Sequence, residues 1–284
     1  MTTSGGSQVT LDETGKFSFD HVYTEPDPRP FFRALGEVGY QLPQLAKPHL
    51  TSLVDEYRAG RGVDQPTVAD LGCSYGVNAA LFRCAATMDD LYEHYTADEA
   101  AGLDRDGLLD RDREFLRTRD DRVPQARFVG LDVSAPALAY AHDAGFLDET
   151  VSADLENEEP TPRQRAVLSG ADLVVSTGCV GYVTERTITR IATLPERRPW
   201  MAHFVLRMFS YEPIADALTD LGYRTTEAPG LFRQRRFASA EEQERILDTL
   251  RDNGVEPDDQ ETGGWLCARL HHSRPIDEYK DDLT

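Results

Sequence analysis

The feature that most limits the possible folds is a succession of apolar runs beginning at Thr67: "TVADLG" (67–72), "ARFVGLD" (126–132), "TVSADL" (150–155), "ADLVVST" (171–177) and "WMAHFVLRM" (200–208). Between them lie stretches of helical periodicity, "VNAALFRCAA", "SAPALAYAHDAGF", "TERTITRIATL" and "EPIADALTDLG", with Ser134 and Thr184 placed as N-caps and Gly222 as a C-terminal stop. Strand-like runs alternating with helices predict a parallel sheet covered by crossover helices. All but the last run carry an acid, a glycine or a hydroxyl at or beside their end. Ligands of open α/β sheets sit outside the carboxyl ends of the strands, so these residues are the first place to look for a site.

Two regions stand outside this alternation. Residues 88–123 are dense in charge, yet Leu91, Leu103, Leu108, Leu109, Phe115 and Leu116 are spaced for amphipathic helix, which marks a helical insertion in the first crossover. In "FSFDHVYTEPDPRPFFRALGEVGYQLPQLAKPHL" prolines and aromatics mix too closely for a long regular element. Residues 1–46 are therefore read as a tail and lid, 47–275 as one α/β domain, and 276–284 as a polar tail. Near the C-terminus "YRTTEAPGLFRQRRF" and "GWLCARLHH" read as two extended segments flanking a helix, an antiparallel pair at the sheet edge.

Charge and cysteine usage narrow the function classes. The formal net charge is −20, which repels nucleic-acid phosphates and anionic membrane surfaces. All but three of the 30 basic residues are arginines interleaved with acids, as on an ion-paired surface. Cys73, Cys84, Cys179 and Cys267 are scattered without metal-ligand spacing, so reduced thiols and no metal are expected. The polar start "MTTSGGSQVTLDETG" lacks the features of a secretion signal, and no apolar run approaches the length of a membrane helix. A cytoplasmic protein acting on a small molecule follows, as a monomer or a homodimer.

The chemistry is concentrated at "VADLGCSYGVNAALF" (68–82), where Asp70, Gly72, Ser74 and Gly76 alternate across a strand-to-helix turn. Glycines there let backbone approach a ligand that a Cβ would push away. A dinucleotide fingerprint needs G-x-G-x-x-G, but Ser74 stands at the second glycine position and no glycine at the third; a Walker loop needs a lysine that is absent. Pyrophosphate and triphosphate are disfavoured. A nucleoside with an amino-acid tail lying along the turn remains.

In this stretch, and in "VGLDVSAPAL", "SADL" and "DLVVSTGCVGYV", the chain resembles the class I S-adenosylmethionine-dependent methyltransferases over roughly residues 47 to 270. The resemblance implies a Rossmann-like, mostly parallel sheet of seven strands with an antiparallel edge strand, helices on both faces and a helical N-terminal lid. It implies S-adenosylmethionine as cofactor, with Asp70, Gly72, Ser74 and Gly76 beside its methionine moiety. Asp132, followed by Val133, would accept both ribose hydroxyls, a task suited to one bidentate carboxylate. Asp154 and Leu155 would sit beside the adenine, and Ser176 and Thr177 would flank the sulfonium. From the lid, Arg29 would hold the cofactor carboxylate and Tyr23 would close over the sulfur.

Cofactor binding leaves the reaction open. The "STGCVGY" segment differs from the Asn/Asp-Pro-Pro-Tyr/Phe motif of enzymes that methylate nucleobases or glutamine. Tyr182 would face the sulfonium, Ser210 in "RMFSYEP" lies just past the fifth strand, and His203 lies within it; these are the candidate catalytic residues. Methyl transfer to a small polar metabolite is the leading reading. A second, on the weaker similarity of "STGCVGYV", "RMFSYEP" and the aromatic lid to enzymes that cyclise S-adenosylmethionine to azetidine-2-carboxylate, is intramolecular ring closure. A third is a non-catalytic cofactor-binding module that works through a partner.

Overall fold

The computed structural model describes residues 11–118 and 125–278. Helices α1 (Asp20–Tyr23), α2 (Arg29–Glu37) and α3 (Leu42–Arg61) precede β1 (Thr67–Leu71) and α4 (Val77–Arg83). The insertion follows as α5 (Met88–Thr96), α6 (Asp98–Ala101) and α7 (Arg105–Thr118). Then come β2 (Arg127–Asp132), α8 (Ala135–Ala144), β3 (Glu149–Ser152), α9 (Pro162–Leu168), β4 (Leu173–Thr177), α10 (Glu185–Ala192), β5 (Trp200–Leu206) and α11 (Glu212–Asp220). The chain ends in β6 (Tyr223–Glu227), β7 (Phe232–Arg236), α12 (Ala240–Asp252), α13 (Asp259–Thr262) and β8 (Trp265–Pro275).

One sheet runs in the order β3-β2-β1-β4-β5-β8-β6, with β7 also paired to β8. The first five strands are mutually parallel, and β8 is antiparallel to β5, β6 and β7. β5 is buried along its whole length, as a strand covered on both faces must be. The chain winds outward from β1 to β3 and returns to place β4 on the other side of β1. That reversal opens a crevice above the carboxyl ends of β1 and β4.

The sheet departs from expectation in two respects. It has eight strands rather than seven, because "YRTTEAPGLFRQRRF" breaks at Pro229–Gly230 into β6 and β7. The antiparallel strand is not the edge: β8, 11 residues long, lies between β5 and β6 and pairs with β7 through its first half. β6 forms the outer edge.

The N-terminal region also holds a long element that was not expected, the 20-residue helix α3. Pro43 stands in its first turn, where a missing N–H costs no hydrogen bond. Pro48 lies further in, but Leu42, Ala46, Leu50, Leu53, Val54 and Tyr57 form one buried face packed on the sheet. Each such side chain contributes about 1.5–3 kcal/mol on burial, enough to outweigh the proline penalty of about 3 kcal/mol. The lid boundary expected at residue 46 falls inside this helix.

The lid and the insertion share a core of their own. Phe31, Phe32 and Leu35 of α2 are buried with Leu91, Tyr95 and Leu108 of the insertion and with Tyr75 and Tyr140 of the main domain. The Phe32 and Tyr95 rings stack with centroids 4.4 Å apart. Asp112 of α7, fully buried, gathers His94 Nε2 at 2.7 Å and hydroxyl donations from Tyr95 at 3.0 Å and Tyr140 at 2.7 Å. The insertion thus buttresses the lid. Residues 119–123 of the expected insertion, 279–284 of the expected tail and residues 1–10 of the N-terminus lie outside the described residues.

Candidate functional site

The crevice holds a cavity of about 440 Å³. Its floor is the turn after β1, where Gly72 has φ 68° and Ser74 φ 50°. A Cβ on Gly72 would stand 2.6 Å from that of Cys179, so only glycine lets the β1 and β4 turns meet this closely. Ser74 adopts the left-handed conformation that glycine takes readily, and its N–H donates to Asp132 Oδ2 at 2.8 Å. The other carboxylate oxygen of Asp132 accepts from Ser134 N at 2.9 Å. Burial raises the Asp132 pKa, opposed by these backbone donors. The side chain lines the cavity, fixed in orientation by two amides.

Asp70 lies beneath the floor, fully buried, and its carboxyl is pushed up to about 7 by burial although Asn78 donates to Oδ1 at 2.9 Å. Among the described residues Oδ2 has no partner, and neither has the buried Ser74 Oγ. Asn78 lines the cavity and also donates to Thr177 Oγ1 at 3.1 Å, linking the ends of β1 and β4. On the other wall are Val133, Asp154, Leu155 and Glu156. Asp154 directs its carboxylate to its own loop, accepting from Glu156 N at 3.1 Å and Asn157 Nδ2 at 2.8 Å. Glu156 instead crosses to α10, accepting from Thr184 N at 3.0 Å and from the hydroxyls of Thr184 and Thr187.

The lid closes one side. Asp12, Phe17, Phe19, Tyr23 and Tyr40 all line the cavity. The Tyr182 hydroxyl donates to Asp12 Oδ2, and the Lys16 ammonium lies 4.9 Å from the centre of the Tyr182 ring. Burial works against the Asp12 charge, but hydrogen bonds from Thr14 and Tyr182 leave its carboxyl below the usual range. The lid is fastened at Phe17, whose N–H donates at 2.6 Å to Glu242 Oε1. Glu242 is itself held in a two-point pair with the buried Arg235, at 2.6 and 3.0 Å.

The expected site residues divide clearly. Gly72, Ser74, Asp132, Val133, Asp154, Leu155, Thr177, Tyr182 and Tyr23 line one cavity. Asp70 lies directly below it, and Gly76 serves as the N-cap of α4. Four residues lie elsewhere. Arg29 is turned toward the insertion, pairing with Asp27 and donating to the carbonyls of Ala100 and Leu103, because α2 presents it to α6 rather than to the crevice. Ser176 is fully buried behind the turn, 2.8 Å from His203 Nδ1. Burial holds His203 down to about 3, with His271 and His272 adding to the effect, so it stays neutral inside the sheet. Ser210 Oγ accepts from Glu212 N at 3.2 Å at the start of α11 and does not reach the cavity.

Asp12, Tyr40, Asn78 and Gln234 belong to the lining and were not anticipated. Asn78 alone had a signal in the sequence, two residues past Gly76 in the first turn of α4; the others arrive from distant segments. Among the described residues no group of acids, cysteines or histidines could hold a metal. Among the described residues no helix is long and apolar enough to cross a membrane.

No protein-family model matches the sequence, and no curated protein matches it. Among solved structures the chain is similar to precorrin-6y C5,15-methyltransferase from Geobacter metallireducens GS-15, at 12% identity and TM-score 0.39, over 79% of this chain and 88% of that one. It is similar to the plantazolicin methyltransferase BpumL in complex with a desmethyl analogue and SAH, at 12% identity and TM-score 0.42, over 82% and 85%. A third is the [4+2]-cyclase SpnF, at 13% identity and TM-score 0.38, over 80% and 81%. The fold follows from the chain's own topology: a parallel sheet reversing between β1 and β4, with an antiparallel strand one place in from the edge, is the Rossmann-like arrangement of the class I methyltransferase fold.

Proposed function

We propose that the crevice binds S-adenosylmethionine and that the chain is an enzyme moving the sulfonium methyl group to a small polar metabolite. The Asp132 carboxylate carries this reading. Each of its oxygens is oriented by one backbone amide and keeps acceptor capacity for one of two vicinal hydroxyls. A fixed carboxylate at that place also repels a ribose phosphate.

The residues around it fit the rest of such a cofactor. The left-handed turn at Gly72 and Ser74 leaves backbone open to an amino-acid tail, and the Ser74 Oγ, unpartnered among the described residues, is available to its polar groups. When bound, the cofactor supplies an electrophilic methyl on a positively charged sulfur. Tyr182 and Tyr23 offer ring faces to that charge, worth about 0.5–2 kcal/mol. The segment over the crevice would limit the access of water to the sulfonium, and catalysis would be chiefly positioning.

A specific observation supports ring closure as a second reading. The cavity is in the lower half of the range for drug-sized ligands, and the lid lies across it, so a bound cofactor leaves little volume for another substrate. Incubating the purified chain with S-adenosylmethionine alone and separating the nucleosides distinguishes the two. Methylthioadenosine together with a cyclic amino acid overturns methyl transfer. Adenosylhomocysteine formed only when an acceptor is added overturns ring closure. Absence of adenosylhomocysteine binding by calorimetry overturns both.

A further inference from the structure

Gln234 enters the cavity through an irregularity in β7. Arg233 pairs with Cys267 of β8 and Arg235 with Leu266, so Gln234 is the one extra residue of a β-bulge. Regular alternation would send neighbours to opposite faces, but the bulge turns both Gln234 and Arg235 inward, to 5% and 3% exposure. The strand is pinned there: Gln41 N donates to Gln234 O and Arg236 N to Val38 O, both at 2.8 Å. On the opposite wall Gly178, just after β4, makes room for the side chain. A Cβ at Gly178 would lie 2.5 Å from Gln234 Nε2. Among the described residues Gln234 Oε1 has no hydrogen-bond partner.

We infer that Gln234 is the residue that receives an amino group of the substrate, orienting its N–H through Oε1 on the side of the cavity where Gly178 follows β4. The inference rests on the S-adenosylmethionine reading and names the chemistry of the nucleophile. A buried amide acceptor left without a partner is costly, and a bound N–H relieves that cost. The surroundings favour a donor-bearing neutral or cationic group over an anion. Arg235 is engaged with Glu242, the Lys16 ammonium faces the Tyr182 ring, and Asp12 adds a carboxylate. An uncharged amide oxygen also suits an attacking nitrogen. It aligns the N–H without favouring the protonated form as a carboxylate would.

The test compares two nucleoside ligands by calorimetry: S-adenosylhomocysteine, and sinefungin, which carries an amine where the methyl group would project. In Gln234→Leu, adenosylhomocysteine affinity stays within about twofold of the native chain, which also shows that the variant is folded, while sinefungin weakens about tenfold. In Gln234→Glu, sinefungin binds more tightly than to the native chain. Equal changes for both ligands, or none, overturn the inference while leaving the cofactor reading standing. Sinefungin weakened in both variants shows the amide acting as a donor and also overturns it. If the native chain binds neither ligand, the cofactor reading falls and the inference with it.

Discussion

The backbone N–H of Ser74 donates to Asp132 Oδ2 at 2.8 Å, so the turn after β1 and the acid ending β2 form one unit although they are 58 positions apart in the chain. The 62-residue spacing from Asp70 to Asp132 that the insertion creates is closed completely by the parallel register of β1 and β2, in which Leu71 stands beside Leu131.

Asp132 carries the largest expected effect on binding. Two hydrogen bonds to a charged acceptor contribute about 1.5–3 kcal/mol each, so Asp132→Ala is expected to weaken adenosylhomocysteine binding a hundredfold or more by calorimetry. It also strands the amides of Ser74 and Ser134, so a urea melt should show a loss of about 1–3 kcal/mol. Unchanged affinity would place the ribose elsewhere.

Asp70 gives a pH signature of defined sign. Its carboxyl is raised from the ordinary 3.8 to about 7, so between those values the folded chain holds a proton that the unfolded chain has released. Its contribution to stability is therefore greatest below pH 4, declines as pH rises to about 7, and is constant above. Asp70→Asn is expected to flatten that decline and to be more stable than the native chain at pH 8, by at most about 4 kcal/mol. Urea melts at pH 5 and pH 8 check this; an equal native-to-variant difference at both would refute it.

Ser74 and Gly72 differ although both are left-handed. Ser74→Gly removes a conformational penalty of about 1–2 kcal/mol, offset in part by the greater freedom of glycine in the unfolded chain, so thermal stability should hold or rise while adenosylhomocysteine affinity falls with the loss of Oγ. Gly72→Ala instead meets Cys179 and should lower stability by about 2–4 kcal/mol. Two variants that melt alike would contradict this account of the turn.

Glu242 ties the lid down. Glu242→Ala leaves Arg235 buried and unpaired, with an expected loss of about 3–5 kcal/mol, and releases the Phe17 amide. Limited proteolysis should then cut the lid ahead of α2 faster than in the native chain. Replacing the pair together, Arg235→Met with Glu242→Leu, is expected to restore much of the stability but not the protection of the lid, since no acceptor returns for Phe17. If the double variant protects the lid fully, Glu242 is not its fastening.

What the sequence determined by itself was everything encoded within one strand and the turn after it. The five parallel strands, the glycine-and-serine turn and the acid ending β2 are local patterns, because apolar periodicity and backbone conformation act over a few residues. What only the tertiary structure decided depends on distant segments meeting. Arg29 had the charge for a carboxylate but found the carbonyls of α6; Ser210 had the hydroxyl but turned to its own helix; His203 became part of the interior. α3 formed despite Pro48 because the sheet buries its apolar face. Asp12 reaches Tyr182 across 170 residues of sequence. Gln234 is turned into the cavity by the bulge between Arg233 and Arg235, where β7 pairs with the first half of the long strand β8. Such contacts follow from packing many elements at once, and no local pattern carries them.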